Sequence, residues 1–217
     1  MLLMRHAQSE FNLHFNKTGR DPGIRDPHLT PHGLAQAAQA AAALTNYDIK
    51  RLVASPYRRA VHTAEIIAKR LGVDLTIDAE VGEHSLYHCD IGSPPQDLTA
   101  LWPHREFTHL PQEWWPRQGE PRQHVISRCQ NFHARAREWS DRDHVLVVSH
   151  WGFILNLTGI EVPNATVIRL SYPQESLHHP NPRRFSDMAG DALQAEPITT
   201  EPIKGFAQAA IVYQPSL

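Results

Sequence analysis

Cysteine is nearly absent from this 217-residue chain: Cys89 and Cys129 are the only two. One bridge at most excludes a disulfide-stapled scaffold, and two thiols are too few for a Cys₄ or Cys₃His metal site. Lysine is almost as scarce, with Lys17, Lys50, Lys69 and Lys204 the only ones in a Lys+Arg total of 21. Charge of one sign is also missing. A net charge of −2 gives no general attraction to nucleic acid or to an anionic membrane surface. No apolar run approaches the length of a membrane span, and Met1 to Met4 is too short for a signal-peptide core. The chain is therefore expected to be cytoplasmic, with no membrane or nucleic-acid partner.

What is present suits one globular domain over residues 1–217. The chain is 41% hydrophobic, too apolar for a disordered protein and long enough for a sizeable core. Arginine carries most of the positive charge, and its planar fork suits phosphate and carboxylate better than a lysine point charge does.

Residues 1–4 read as a short buried strand ending at Arg5-His6. Thr30-Pro31 opens a helix as N-cap and N1, and the alanine-rich stretch to Leu44 continues it. Arg51 to Ala54 reads as a second strand. A helix from about Tyr57 to Leu71 follows, with an apolar stripe of Val61, Ala64, Ile67, Ala68 and Leu71 and with Gly72 at its end. Asp74 to Ile77 is a third strand. From about Pro121 to Trp139, spacings of four and three between Val125, Cys129, Phe132, Ala136 and Trp139 predict an amphipathic helix. The β-branched run Val145–Val148 predicts a strand covered on both faces, followed by a helix over Trp151–Thr158. Thr166–Tyr172 and Phe206–Tyr213 are further strand candidates. This alternation predicts an α/β layered domain with a mostly parallel sheet. It is interrupted twice: by the Pro-, His- and Trp-rich stretch 82–120, expected as a cap or a satellite core, and by an irregular excursion over 173–205.

In such sheets ligands bind beyond the carboxyl ends of the strands. Arg5-His6, Ser55-Pro56-Tyr57-Arg58-Arg59, Glu83 and His150 all fall at those ends. Two histidines, two arginines and a carboxylate on one sheet edge form a candidate site. His104 and the His178-His179 pair lack metal-ligand spacing such as H-E-x-x-H, and Ser149 lacks a G-x-S-x-G elbow.

These segments carry a resemblance. Met4-Arg5-His6-Ala7-Gln8-Ser9-Glu10-Phe11-Asn12 resembles the Arg-His-Gly signature of the histidine phosphatase superfamily, the phosphoglycerate-mutase-like enzymes. Ala7 stands at the usual glycine. Leu29-Thr30-Pro31-His32-Gly33-Leu34 resembles the family's first-helix entrance, and Ser55 to Glu65 its second phosphate-binding segment. Val147-Val148-Ser149-His150-Trp151-Gly152 resembles its second-histidine motif, with Trp151 where a small residue is common.

The resemblance implies a three-layer α/β/α sandwich of phosphoglycerate mutase type. It also implies a phosphomonoester hydrolase that works through a phosphohistidine on a small phosphorylated metabolite, with neither metal nor cofactor. His6 would be the nucleophile, with Arg5, Arg59 and His150 around the phosphoryl oxygens. Arg59 rather than Arg58 is selected because it directly precedes the alanine of the motif. Asn12 matches a position that contributes an amide to the phosphate pocket, and Thr18-Gly19 either lines that pocket or forms a turn. The acid segment Val81–Gly92 offers Glu83 as proton donor, with Asp90 and His84 as substitutes. Two alternatives stand beside the hydrolase. One is a phosphoglycerate mutase-type phosphotransferase, disfavoured because residues 84–120 contain no adjacent arginine pair. The other is a non-catalytic relative that binds phosphorylated ligands or proteins.

Overall fold

The computed structural model describes residues 1–171 and 208–215. The 173–205 excursion and the His178-His179 pair lie outside them. Successive side chains of a strand point to opposite faces, and the short apolar runs use this to feed two cores at once. Strand β1 (Leu2–Arg5) sends Leu2 and Met4 into one core and Leu3 into the other. Strand β2 (Arg51–Ala54) divides Leu52 and Ala54 from Val53 in the same way, and β4 (Val145–Ser149) divides Leu146 and Val148 from Val145 and Val147.

With β3 (Asp74–Ile77), β5 (Val167–Ser171) and β6 (Gln208–Tyr213), these strands form a six-stranded sheet in the order β3-β2-β4-β1-β5-β6. The four strands from β3 to β1 are parallel, while β5 pairs antiparallel with both β1 and β6. The sheet is thus mostly parallel, with an antiparallel margin.

Helices cover both faces. On the first face lie α2 (Pro31–Leu44) and α3 (Arg58–Leu71); α2 buries Ala37, Ala40, Ala41 and Leu44, a three-and-four spacing whose small side chains let the helices approach closely. On the second face lie α5 (Arg122–Arg137) and α6 (Trp151–Thr158), contributing Val125, Cys129, Phe132, Phe153 and Leu157. Thr30 caps α2 through a 2.9 Å bond from the Gly33 N–H to its hydroxyl, and Pro31 is the first helical residue, as the sequence predicts.

Two helices were not expected. Helix α1 (Glu10–Thr18) follows β1 directly, and α4 (Pro95–Leu101) lies within the 82–120 stretch. That stretch divides in placement: Leu98, Phe107, Leu110 and Trp114 join the first core, whereas several residues between 83 and 90 turn toward the carboxyl edge of the sheet.

Candidate active site

The loops leaving β1, β2, β3 and β4 converge on one cavity of about 290 Å³. Arg5, His6, Asn12, Arg59, Glu83, His84 and Asp90 line it together with Phe11, Phe15, Leu86, Tyr87 and Trp151. Of His6, Glu83, His150, Arg5, Asn12 and Arg59, His150 alone is absent from the lining. Arg58, Thr18 and Gly19 are absent too: Arg58 turns to His28, and Gly19 is the left-handed C-cap of α1 at φ 64°, the turn alternative.

His6 is buried, and its Nδ1 lies 2.7 Å from the Ala7 carbonyl oxygen. A carbonyl only accepts, so Nδ1 carries the proton and Nε2 is left with its lone pair. Burial holds the imidazole well below its ordinary pKa, and Arg59 and Arg5 lower it further, so the ring is neutral. The His6 N–H also donates to the Ser149 carbonyl at 2.9 Å, locking the residue between β1 and β4.

His150 is fully buried with its ring centroid 5.1 Å from that of His6. Its Nε2 meets the Ser55 hydroxyl at 2.8 Å, and its Nδ1 is buried without a partner. Burial, then Arg59, His6 and Arg5, keep this ring well below its usual pKa as well. Tyr57 stands edge-on to His150 at 5.0 Å and lies 4.5 Å from the Arg59 guanidinium, so one buried ring packs on two site residues.

The two arginines are held differently. Arg5 donates from Nη1 to the Val162 carbonyl at 2.8 Å, and its buried Nε has no partner. Burial pulls its pKa down to about 10, so it stays charged at neutral pH. Arg59 spends two of its five N–H donors on the Cys89 carbonyl (2.7 Å) and Asp90 Oδ1 (3.0 Å). Burial opposes its charge, but the facing Cys89 and Asp90 groups outweigh this and raise its pKa.

Asp90 is fully committed. One oxygen takes the Arg59 bond, and the other accepts from the Leu86 and Tyr87 N–H groups at 3.0 and 2.9 Å. Such a carboxylate serves structure better than proton transfer.

Glu83 has the opposite character. Its Oε1 accepts from the N–H groups of His84 (2.8 Å), Gly152 (2.7 Å) and Phe153 (3.3 Å), which makes it the cap that α6 lacks from its own N-cap residue, His150. Donors of this kind lower a carboxyl pKa, yet desolvation, reinforced by Asp90, pushes Glu83 up to about 7. Its placement depends on two neighbours. A Cβ on Gly152 would stand 2.6 Å from Glu83 Oε1, so only glycine admits the carboxylate there. Arg128 on α5 uses all five N–H donors on the Glu120 carboxylate and on the carbonyls of Glu80, Gly82 and Glu83, at 2.9 to 3.1 Å.

Asn12 closes the α1 capping box. Its Oδ1 accepts from Ser9 N (3.0 Å), Ser9 Oγ (2.9 Å) and Asn164 Nδ2 (3.1 Å), and its amide nitrogen takes no part in these bonds. Arg128 is a support that the sequence reading did not single out, whereas Ser55 and Tyr57 lie in the segment it marked after β2 but received no role of their own there. Arg128 belongs to no residue pattern with its own chemistry, so nothing in the sequence pointed to it. Among the described residues, no group of three or more His, Cys, Asp or Glu side chains is disposed to hold a metal ion. No helix among them is long and apolar enough to cross a membrane.

Comparison with known proteins gives the family and agrees with the fold. The family profile described as histidine phosphatase superfamily (branch 1) matches residues 1–179. Glucosyl-3-phosphoglycerate phosphatase of Mycobacterium tuberculosis is 28% identical over 172 residues, 73% of either chain. Phosphoserine phosphatase 1 of Hydrogenobacter thermophilus is 28% identical over 156 residues, 69% of this chain and 70% of that one. The native structure of the mycobacterial glucosyl-3-phosphoglycerate phosphatase superposes with a TM-score of 0.53 at 25% identity, covering 79% of this chain and 89% of its own. A match that runs through β1, α3, Glu83 and β4 takes in every strand end that faces the cavity, and the chain belongs to branch 1 of the histidine phosphatase superfamily.

Proposed function

We propose that this protein is a phosphomonoester hydrolase that works through a phosphohistidine at His6. The observation that carries the reading is the His6 Nδ1–Ala7 bond, which leaves a neutral imidazole with its Nε2 lone pair available in a cavity lined by the buried Arg59 and the half-buried Arg5. The orphan donor Arg5 Nε supports an anion at the same place, because buried polar groups are otherwise nearly always paired. His150 Nδ1 is a second donor if the Ser55 hydroxyl gives its proton to Nε2.

In the first step Nε2 attacks phosphorus in line and the P–O ester bond breaks. The leaving alkoxide takes the proton of Glu83. In the second step water attacks phosphorus, gives a proton back to the Glu83 carboxylate, and breaks the P–N bond. Inorganic phosphate leaves and His6 returns to its neutral form. Arg5, Arg59, the Asn12 amide and His150 offset the charge on the phosphoryl oxygens, the main requirement of this chemistry. The mutase alternative needs a further cation for a glycerate carboxylate. Among the described residues, Arg5 and Arg59 are the only arginines or lysines lining the cavity.

Rapid acid-free quenching with labelled substrate tests the intermediate. A base-stable, acid-labile phosphoryl group on the peptide containing His6 is the expected result. Turnover with no such adduct under single-turnover conditions would contradict it, and binding without turnover would favour the non-catalytic alternative.

A further inference from the structure

The phosphoryl end of the cavity is polar, whereas its mouth is mainly aromatic and apolar. Phe11 and Phe15 on α1 stack at 5.2 Å, and Tyr87 closes on them at 5.4 and 5.2 Å. Leu86 and Trp151 complete the wall. Leu86 and Tyr87 are 42% and 37% exposed, an apolar surface directed at the mouth of a polar site. Asn16 and His84 add polar groups there, but His84 Nε2 is already engaged with the Glu120 carbonyl at 2.9 Å.

This wall is held in advance. The Leu86 and Tyr87 N–H groups bond the Asp90 carboxylate whose other oxygen holds Arg59, so one side chain ties the apolar platform to the phosphate end. A preorganised surface of this kind binds without losing further freedom. The charge balance at the mouth points the same way. Substrates bearing a carboxylate need a counter-cation, and among the described residues the cavity is lined by two cations, Arg5 and Arg59, both needed by the phosphoryl group.

We infer that the alcohol carried by the substrate is uncharged and apolar, with a flat or aromatic body that packs on Phe11, Phe15 and Tyr87. The inference rests on the phosphatase reading above and sets the substrate class apart from the phosphoserine and glucosyl-3-phosphoglycerate named for two relatives.

The test compares kcat/KM for 2-phenylethyl phosphate, O-phosphoserine, 3-phosphoglycerate and glycerol 3-phosphate. All four release alkoxides, so the aryl leaving-group advantage is removed. Each is run with wild type and His6→Ala. The expected result is a preference of at least about tenfold for 2-phenylethyl phosphate, the order of gain from burying one ring. Phe15→Ala and Tyr87→Ala, both at partly exposed positions, should bring that ratio toward unity, Phe15→Leu should retain much of it, and Phe15→Arg should move it toward phosphoserine. Equal or better His6-dependent hydrolysis of phosphoserine or 3-phosphoglycerate would overturn the inference and leave the phosphatase reading standing. An unchanged ratio in both alanine variants would remove the wall from the assignment. No hydrolysis of any ester, or hydrolysis that survives His6→Ala, would sink the phosphatase reading and this inference with it.

Discussion

His6 and Glu83 are shaped by the same burial, which favours the neutral form of each. For the imidazole, neutrality supplies a lone pair; for the carboxyl, it supplies a proton. Because burial, with Asp90 adding to it, lifts Glu83 to about 7, its acid form is present below that pH and is lost as pH rises through it. Hydrolysis of alkyl phosphates should therefore fall tenfold per pH unit above about 7. Glu83→Gln should remove that limb and lower alkyl ester turnover by about a hundredfold or more, with a much smaller loss on aryl esters. An equal loss on both ester classes would place the proton elsewhere. The same shift sets a stability trend. A carboxyl whose folded pKa is raised contributes stability below its unfolded pKa and loses it as pH rises through the folded one. Calorimetry should then find the Tm of Glu83→Gln gaining on wild type between pH 5 and pH 8.

Asp90 gives the contrasting case at this scale. It pairs with Arg59 where both side chains are nearly inaccessible, at 3% and 2%. Removing one charge from such a pair costs about 3–5 kcal/mol, chiefly through the partner left behind. Asp90→Asn should lower Tm and reduce turnover of aryl and alkyl phosphates alike, as loss of a support does. Selective loss on alkyl phosphates would instead make Asp90 the acid.

At the scale of elements, the site depends on how helix ends meet strand ends. Helix α6 begins one residue after His150, and its free N–H groups are taken by Glu83 from the loop that follows β3. Gly152 is the pivot. Alanine is the better helix former by about 1 kcal/mol, but its Cβ would lie 2.6 Å from Glu83 Oε1 and 2.7 Å from His84 Cβ. Gly152→Ala should leave the helix intact and displace the carboxyl, so circular dichroism should be unchanged while alkyl phosphate turnover falls at least tenfold. Wild-type turnover in this variant would show that Glu83 does not need its α6 contacts.

Gly33 plays a related part at the start of α2. Its hypothetical Cβ falls 2.0 Å from the Gln8 carbonyl oxygen, so only glycine lets α2 sit against the loop that carries His6. The element scale also marks where sequence reading succeeds. β1 to β4, α2, α3, α5 and α6 were legible because their signals are local: continuous β-branched runs, a Thr-Pro start, glycine stops and three-and-four apolar spacing. Helix α1 escaped because its capping box closes with Asn12 instead of Glu or Gln, and because only Phe11 and Asn12 on it are buried. The sequence offers Glu83 as proton donor with Asp90 and His84 as substitutes, but the contacts that distinguish these three side chains are not local. They come from Arg128 and the α6 N-terminus at Glu83 and from Arg59 at Asp90, which are 45, 69 and 31 residues away in sequence.

For the whole molecule, the parallel register of β1, β2 and β4 brings three strand ends level, and the loops they release deliver Arg5-His6, Arg59 and His150 to one place. That convergence was visible in the sequence as polar signals after apolar runs. The aromatic mouth was not, because Phe11, Phe15 and Tyr87 meet only once α1 and the 82–90 loop are folded against each other. Phosphate release in EDTA, measured with wild type and His6→Ala on alkyl and aryl monoesters, tests the account most directly. Turnover that persists in EDTA and vanishes in a folded His6→Ala variant is the result expected of a metal-independent histidine phosphatase. Turnover abolished by EDTA, or undiminished without His6, would contradict it.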